Sequence, residues 1–132
     1  MVVGKVGDAG FGAYVARGSA KERREREKRV IRYGASSWEP GAAWLATNRK
    51  DATVALYADD MPTVRAACAE GLGLAVLPHF YAAGRSLARV ADGCDTAGLY
   101  VAVHPDLRRT ARVRAVVSWL KAALPTRLAA AA

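Results

Sequence analysis

Asp59–His79, DDMPTVRAACAEGLGLAVLPH, is the stretch from which the fold can be read. Asp60 is suited to cap a helix by accepting a backbone N–H. Pro62 fits the first helical turn, where its missing donor costs nothing. Val64, Ala67, Cys68 and Leu72 recur at the spacing of one helical face. Gly71 and Gly73 can take the positive φ that ends a helix sharply. Leu74–Leu77 is a short apolar run fit for a strand buried on both faces, and Pro78 stops it. The unit reads as a crossover helix feeding a parallel strand, an arrangement that places binding loops at strand ends.

Upstream, Thr53–Ala58 reads as a β-branched and aromatic strand, Val30–Tyr33 as a second and Phe11–Ala16 as a third. Ser19 is a helix cap before the polar run 20–29, whose Glu22/Arg26, Arg23/Glu27 and Glu25/Arg29 pairs lie at i, i+4. Gly34–Ser37 is a loop, and 41–47 holds one or two helical turns. Trp38 and Trp44 bracket Pro40-Gly41 and read as core anchors. Downstream come a short helical turn over 80–84, a strand over 87–90, a turn at Asp92-Gly93 and a strand over 99–103 closed by His104-Pro105. A last helix begins after Thr110, carries Val113, Val116, Val117, Leu120 and Leu124 as its stripe, and ends at Pro125 before a frayed RLAAAA tail. Strands alternating with helices give an α/β class with a mostly parallel sheet flanked by helices.

The chain has 132 residues, enough for one modest core, and its 52% hydrophobic and 24% charged shares fit a globular protein. No apolar run approaches the roughly 20 residues of a membrane span, and the N-terminus lacks the order of a secretory signal. Two cysteines, Cys68 and Cys94, provide neither a disulfide framework nor metal spacing, so a reducing, cytoplasmic setting is the default. The net charge of +8 gathers at Arg17–Arg32, with eight basic and three acidic residues, and at Arg108–Arg114, with four arginines. No aromatic interleaves either cluster, so they read as solvated surface, not as a base-stacking face.

Catalytic groups are few. There is no Gly-x-Ser-x-Gly elbow, no phosphate loop and no His-x-x-x-His pair. His79 and His104 sit beside prolines at strand ends. They are open to three readings: turn structure, ligand contact, or a small α/β enzyme pairing one of them with Asp59 or Asp60. Gly71-x-Gly73 ends a helix and precedes a strand, the reverse of a pyrophosphate site. No cofactor is implied.

GLGLAVLPHF after an amphipathic helix, followed by a strand running into HPDLRRTARVRAVVSWL, resembles the effector-binding domain of LysR-type transcriptional regulators over about residues 9–124. Gly71, Gly73 and Pro78 carry the mark of that domain's second lobe. His104–Arg109 carries the return to the first. The resemblance implies a periplasmic-binding-protein-like fold of two α/β lobes joined by crossing strands. Residues 1–98 would be the second lobe with the strand leading into it, and 99–132 the return strand and C-terminal helix of a largely absent first lobe.

It further implies a non-enzymatic sensor of a small organic effector, without the winged helix-turn-helix and so without direct DNA binding of its own. The chain would be a fragment or truncated product, pairing as a homodimer or with a full-length regulator, or acting through that pairing alone. The implied ligand loops are Tyr14–Gly18, Ala35–Ser37, Ala58–Pro62 and Leu77–His79. Tyr14, Ser36, Asp59, Asp60, Met61 and Pro78 are the candidate ligand contacts. Backbone N–H groups at 60–63 would suit a carboxylate, and the two aspartates would suit an uncharged or cationic effector.

Overall fold

The computed structural model describes residues 2–34, 38–84 and 86–131. Its elements are β1 (Val2–Ala16), α1 (Ala20–Arg26), β2 (Arg29–Tyr33), α2 (Ala42–Asn48), β3 (Thr53–Ala58), α3 (Met61–Ala69), β4 (Ala75–Pro78), α4 (His79–Ala82), β5 (Leu87–Val103) and α5 (Ala111–Ala131), with a 3-10 turn at Pro105–Leu107. The chain divides into two compact units, Gly10–Asp95 and the pair of segments Met1–Ala9 and Thr96–Ala132; β1 and β5 each continue from one into the other.

In the Gly10–Asp95 unit, β2 and β3 pair in parallel, from Arg29 opposite Thr53 to Tyr33 opposite Ala58. A parallel bridge from Val30 to Leu74 sets the start of β4 beside β2. β1 runs antiparallel to β4, with Phe11 opposite Pro78 and Tyr14 opposite Ala75. The expected mostly parallel sheet is therefore mixed: an antiparallel β4-β1-β5 sheet and a parallel β2-β3 pair. The cause is the length of α1. Its seven residues span about 10 Å, too little to carry the chain back along the preceding strand. β2 accordingly starts at the end where β1 stops. Arg26 ties that corner by donating to the carbonyls of Ala16 and Arg17, and Arg29 by donating to those of Gly71 and Leu72.

The decisive stretch folds as its residues dictate. Asp60 caps α3, and its carboxylate accepts the Thr63 amide at 2.8 Å. Val64, Ala67 and Cys68 are buried against Tyr14, Ile31, Ala75 and Leu77. Leu72 lies past the helix end and is exposed, departing from the expected stripe. Gly71 takes a positive φ of 86°. Gly73 serves a different need, since a Cβ there would stand 2.7 Å from the Arg29 carbonyl oxygen. All four residues of β4 are buried.

Other expectations are corrected. The Asp92-Gly93 turn is absent: β5 runs straight through it, and the φ of 65° at Gly93 accommodates an irregularity inside a continuous strand. Trp38 is half exposed and meets Phe11 edge-on at 6.1 Å, while Trp44 is only partly buried, under the Arg49 guanidinium; neither is a core anchor. Of the three α1 pairs only Glu22–Arg26 forms. Glu25 pairs with Lys28 and Glu27 with Arg49, because α1 ends at Arg26 and tertiary partners take over.

In the other unit Pro125 does not end the helix, which continues to Ala131. A proline deletes one backbone hydrogen bond, but the following Arg, Leu and Ala have high helix propensity. Gly7 of β1 also lies against this late part of α5, where a Cβ would fall 2.7 Å from Leu128 Cδ1.

Candidate functional site

Parallel β2 and β3 bring Tyr33 and Ala58 together at one sheet end, and the Gly34 amide donates to the Ala58 carbonyl at 3.0 Å. The strands approach closely here: a Cβ on Gly34 would stand 3.1 Å from Tyr57 Cβ. This rim presents Tyr57, Asp59 and Asp60 to solvent, with Met61 partly buried. The α3 start is not an open anion cradle. The Thr63 amide is taken by the Asp60 carboxylate, the Val64 amide by the Asp60 carbonyl, and Pro62 has no N–H. The bond from Thr63 holds the Asp60 carboxyl below its ordinary range.

Arg32 of β2 and Glu39 form an ion pair that sequence spacing does not reveal. Arg32 donates through both Nε (2.9 Å) and Nη2 to the Glu39 carboxylate, which also accepts the Tyr33 amide at 3.3 Å. The Arg32 guanidinium holds the largely buried Glu39 carboxyl below the usual range. Desolvation pushes the Tyr33 hydroxyl upward. Ser36 lies outside the described residues.

Tyr14 and Pro78 are core residues, and Pro78 is fully buried. The Tyr14–Gly18 segment does not join the Asp59–Met61 rim. Antiparallel β1 puts Phe11 opposite Pro78 and sends residues 14–18 to the other end. The Tyr14 side chain instead enters a polar chain. Its hydroxyl stands 2.6 Å from His79 Nδ1, His79 Nε2 is 2.7 Å from Asp92 Oδ1, and Arg89 Nε donates to the Tyr14 hydroxyl at 3.2 Å. The hydrogens order in one direction: Arg89 to Tyr14, Tyr14 to His79 Nδ1, and Nε2–H to Asp92. Asp92 Oδ1 also accepts the Gly93 amide, and that bond, before the one from His79, lowers its carboxyl below the ordinary range. Burial raises the Tyr14 hydroxyl.

Space for the His79 ring comes from two glycines. A Cβ on Gly12 would stand 2.7 Å from His79 Cε1, and one on Gly10 3.2 Å from Cδ2. No buried side-chain N or O atom among the described residues is left without a partner, His79 is only 3% exposed, and the network reads as architecture. His104 sits on the other unit, exposed, where its Nδ1 accepts the Asp106 amide. Among the described residues no group of three or more His, Cys, Asp or Glu is placed to hold a metal ion. No helix of the described residues is long and apolar enough to cross a membrane.

Residues 17–125 match the LysR substrate binding domain. The chain belongs to that family. No curated protein matches its sequence. Solved LysR-type domains share the fold of this LysR domain: the CcmR regulatory domain of Synechocystis PCC6803, solved in complex with 2-PG, has 16% identity and a TM-score of 0.63 over 92% of this chain and 65% of that one. The effector domain of the transcriptional regulator AmpR of Pseudomonas aeruginosa has 18% identity and a TM-score of 0.57, over 97% and 65%.

The likeness extends to periplasmic-type binding proteins. The probable amino-acid ABC transporter extracellular-binding protein ytmK of Bacillus subtilis has 12% identity and a TM-score of 0.54, over 95% and 60%. The LysR chain described here spans less than two thirds of each of these three.

Proposed function

We propose that this chain is the effector-sensing part of a LysR-type transcriptional regulator. It takes a small organic molecule at the rim formed by Gly34 and Asp59–Met61, does no chemistry on it, and makes no DNA contact itself. The family membership over residues 17–125 carries the reading. Residues 10–95 act as the second lobe, and 96–132 with the first residues as part of the first. The setting is the cytoplasm.

The rim supports one ligand chemistry over another. Two adjacent carboxylates, and a helix start whose Thr63 and Val64 amides are already used, disfavour a carboxylate effector. An uncharged or cationic molecule that donates hydrogen bonds fits Asp59 and the edge of Asp60. Of the other implied contacts, Tyr14 and Pro78 act indirectly, by fixing β1 on β4 and seating His79. A thermal-shift screen followed by amide NMR tests this. Small amines, amides and polyols should raise the melting temperature and move Gly34 and Asp59–Met61. A panel in which only carboxylates shift the protein overturns the ligand class, and no shift from any compound overturns the sensing role.

A second reading is supported by the other unit. α5 has no buried residue, and Tyr100, Leu107, Val116 and Trp119 are exposed. Such a face suits pairing with another subunit, either a second copy or a full-length regulator.

A further inference from the structure

We infer that Trp38–Gly41 is a rigid strap that ties the effector rim to β5, and that the Glu39 and Asp95 carboxylates at its two ends regulate the rim together. That use of the strap rests on the sensing reading; the coupling between its ends does not.

At the rim end, the Glu39 carboxylate accepts from Arg32 Nε, Arg32 Nη2 and the Tyr33 amide. It thereby holds the last two residues of β2, directly before Gly34. At the other end the Gly41 amide donates to Asp95 Oδ2 at 2.7 Å. Asp95 is the last residue of the Gly10–Asp95 unit, where β5 leaves it. Trp38 adds a second tie, edge-on to Phe11 of β1 at 6.1 Å, and Phe11 lies one residue inside the same unit's other boundary.

The residues between have little slack. Pro40 is fully buried, and its ring fixes φ near −65°. Gly41 takes a φ of 75°, and a Cβ there would stand 2.7 Å from both Val76 methyl carbons, so the strap lies flat on β4. That need for glycine decides the role of Asp95. Gly41 is the N-cap of α2 and makes no side-chain cap bond. In a capping box the third helical residue would accept the cap residue's own amide, as Glu22 does for Ser19. In α2 that position is Trp44, whose indole only donates. The acceptor comes instead from β5, as Asp95. Four residues reach at most about 14 Å. With both ends held by carboxylates, a shift of Tyr33 and Gly34 on filling the rim moves Glu39 and is carried to Gly41 and Asp95.

The test is a double-mutant cycle on the whole chain, with Glu39→Gln, Asp95→Asn and the pair compared in urea. Each single substitution should raise the unfolding constant about tenfold or more. Losing either end releases the strap, so the double variant should go no more than about threefold beyond the larger single effect. A factor close to the product of the two singles overturns the coupling. Should Glu39→Gln not fold, Arg32→Lys takes its place, since it keeps the charge and loses the paired contact. Amide NMR gives the direction. Asp95→Asn should move the Tyr33 and Gly34 amides, Glu39→Gln the Gly41 and Asp95 amides, and Asp60→Asn, which removes a cap on α3, neither Gly41 nor Asp95. Shifts confined to the substituted end overturn the strap. Independent ends in a chain that still binds a small amine, amide or polyol overturn the strap alone. Coupled ends in a chain that binds none of these overturn the sensing reading, and with it the regulatory use of the strap.

Discussion

The Tyr14 hydroxyl stands 2.6 Å from His79 Nδ1, although the residues lie on different strands' ends of the sequence, in β1 and at the start of α4. That bond, extended to Asp92, links β1, the start of α4 and β5 through one imidazole. His79→Leu keeps the volume but strands the buried Tyr14 hydroxyl without its acceptor. It should destabilise the chain by roughly 1–3 kcal/mol, read as a lower midpoint in urea. An unchanged midpoint would mean the network is ornamental.

Gly12→Ala attacks the same network from below. The new Cβ meets His79 Cε1 at 2.7 Å and the Ala91 carbonyl oxygen at 2.8 Å, and backbone on β5 cannot easily give way. The cost should be about 1–3 kcal/mol, with NMR shifts concentrated at His79, Ala91 and Asp92. Gly84→Ala is the control. Nothing lies within 4 Å of its Cβ position, and its cost comes only from the φ of 70°.

Arg32 and Glu39 give a pH dependence of known sign. The Glu39 carboxyl is lowered in the folded state, so its contribution is present above the unfolded carboxylate value, near pH 4.3, and is lost as pH falls through the folded value. Stability measured from pH 6 to about pH 3 should fall, and Glu39→Gln should flatten part of that slope. At pH 7 the same variant should cost roughly 1–3 kcal/mol, since Arg32 is left half-buried beside a neutral amide.

Both thiols should be inert in the native chain. Burial pushes Cys68 up to about 12 and Cys94 up to about 11, well above the pH of ordinary alkylation. Mass spectrometry after iodoacetamide at pH 8 should find neither modified, and both modified in urea. Native labelling of Cys68 would require that α3 opens, because its thiol donates to the Tyr14 carbonyl inside the core.

The sequence by itself determined the local elements of the central unit. Asp60, Pro62, the Val64/Ala67/Cys68 face and Gly71 form as read, because capping, periodicity and positive φ are decided within a few residues; the strand read as Leu74–Leu77 forms one residue later, as Ala75–Pro78, with Pro78 inside it. The family resemblance, resting on Gly71, Gly73, Pro78 and the His104–Arg109 run, was legible for the same reason.

Only the tertiary structure decided what depends on distant partners. It set β1 antiparallel to β4, which moved Tyr14–Gly18 away from the Asp59–Met61 rim. It carried β5 through Gly93 and α5 through Pro125. It joined Arg32 to Glu39 and Tyr14 to His79 to Asp92. Strand direction, cross-strand hydrogen bonds and glycine-lined space for a side chain are properties of elements brought together. Short-range spacing carries no trace of them.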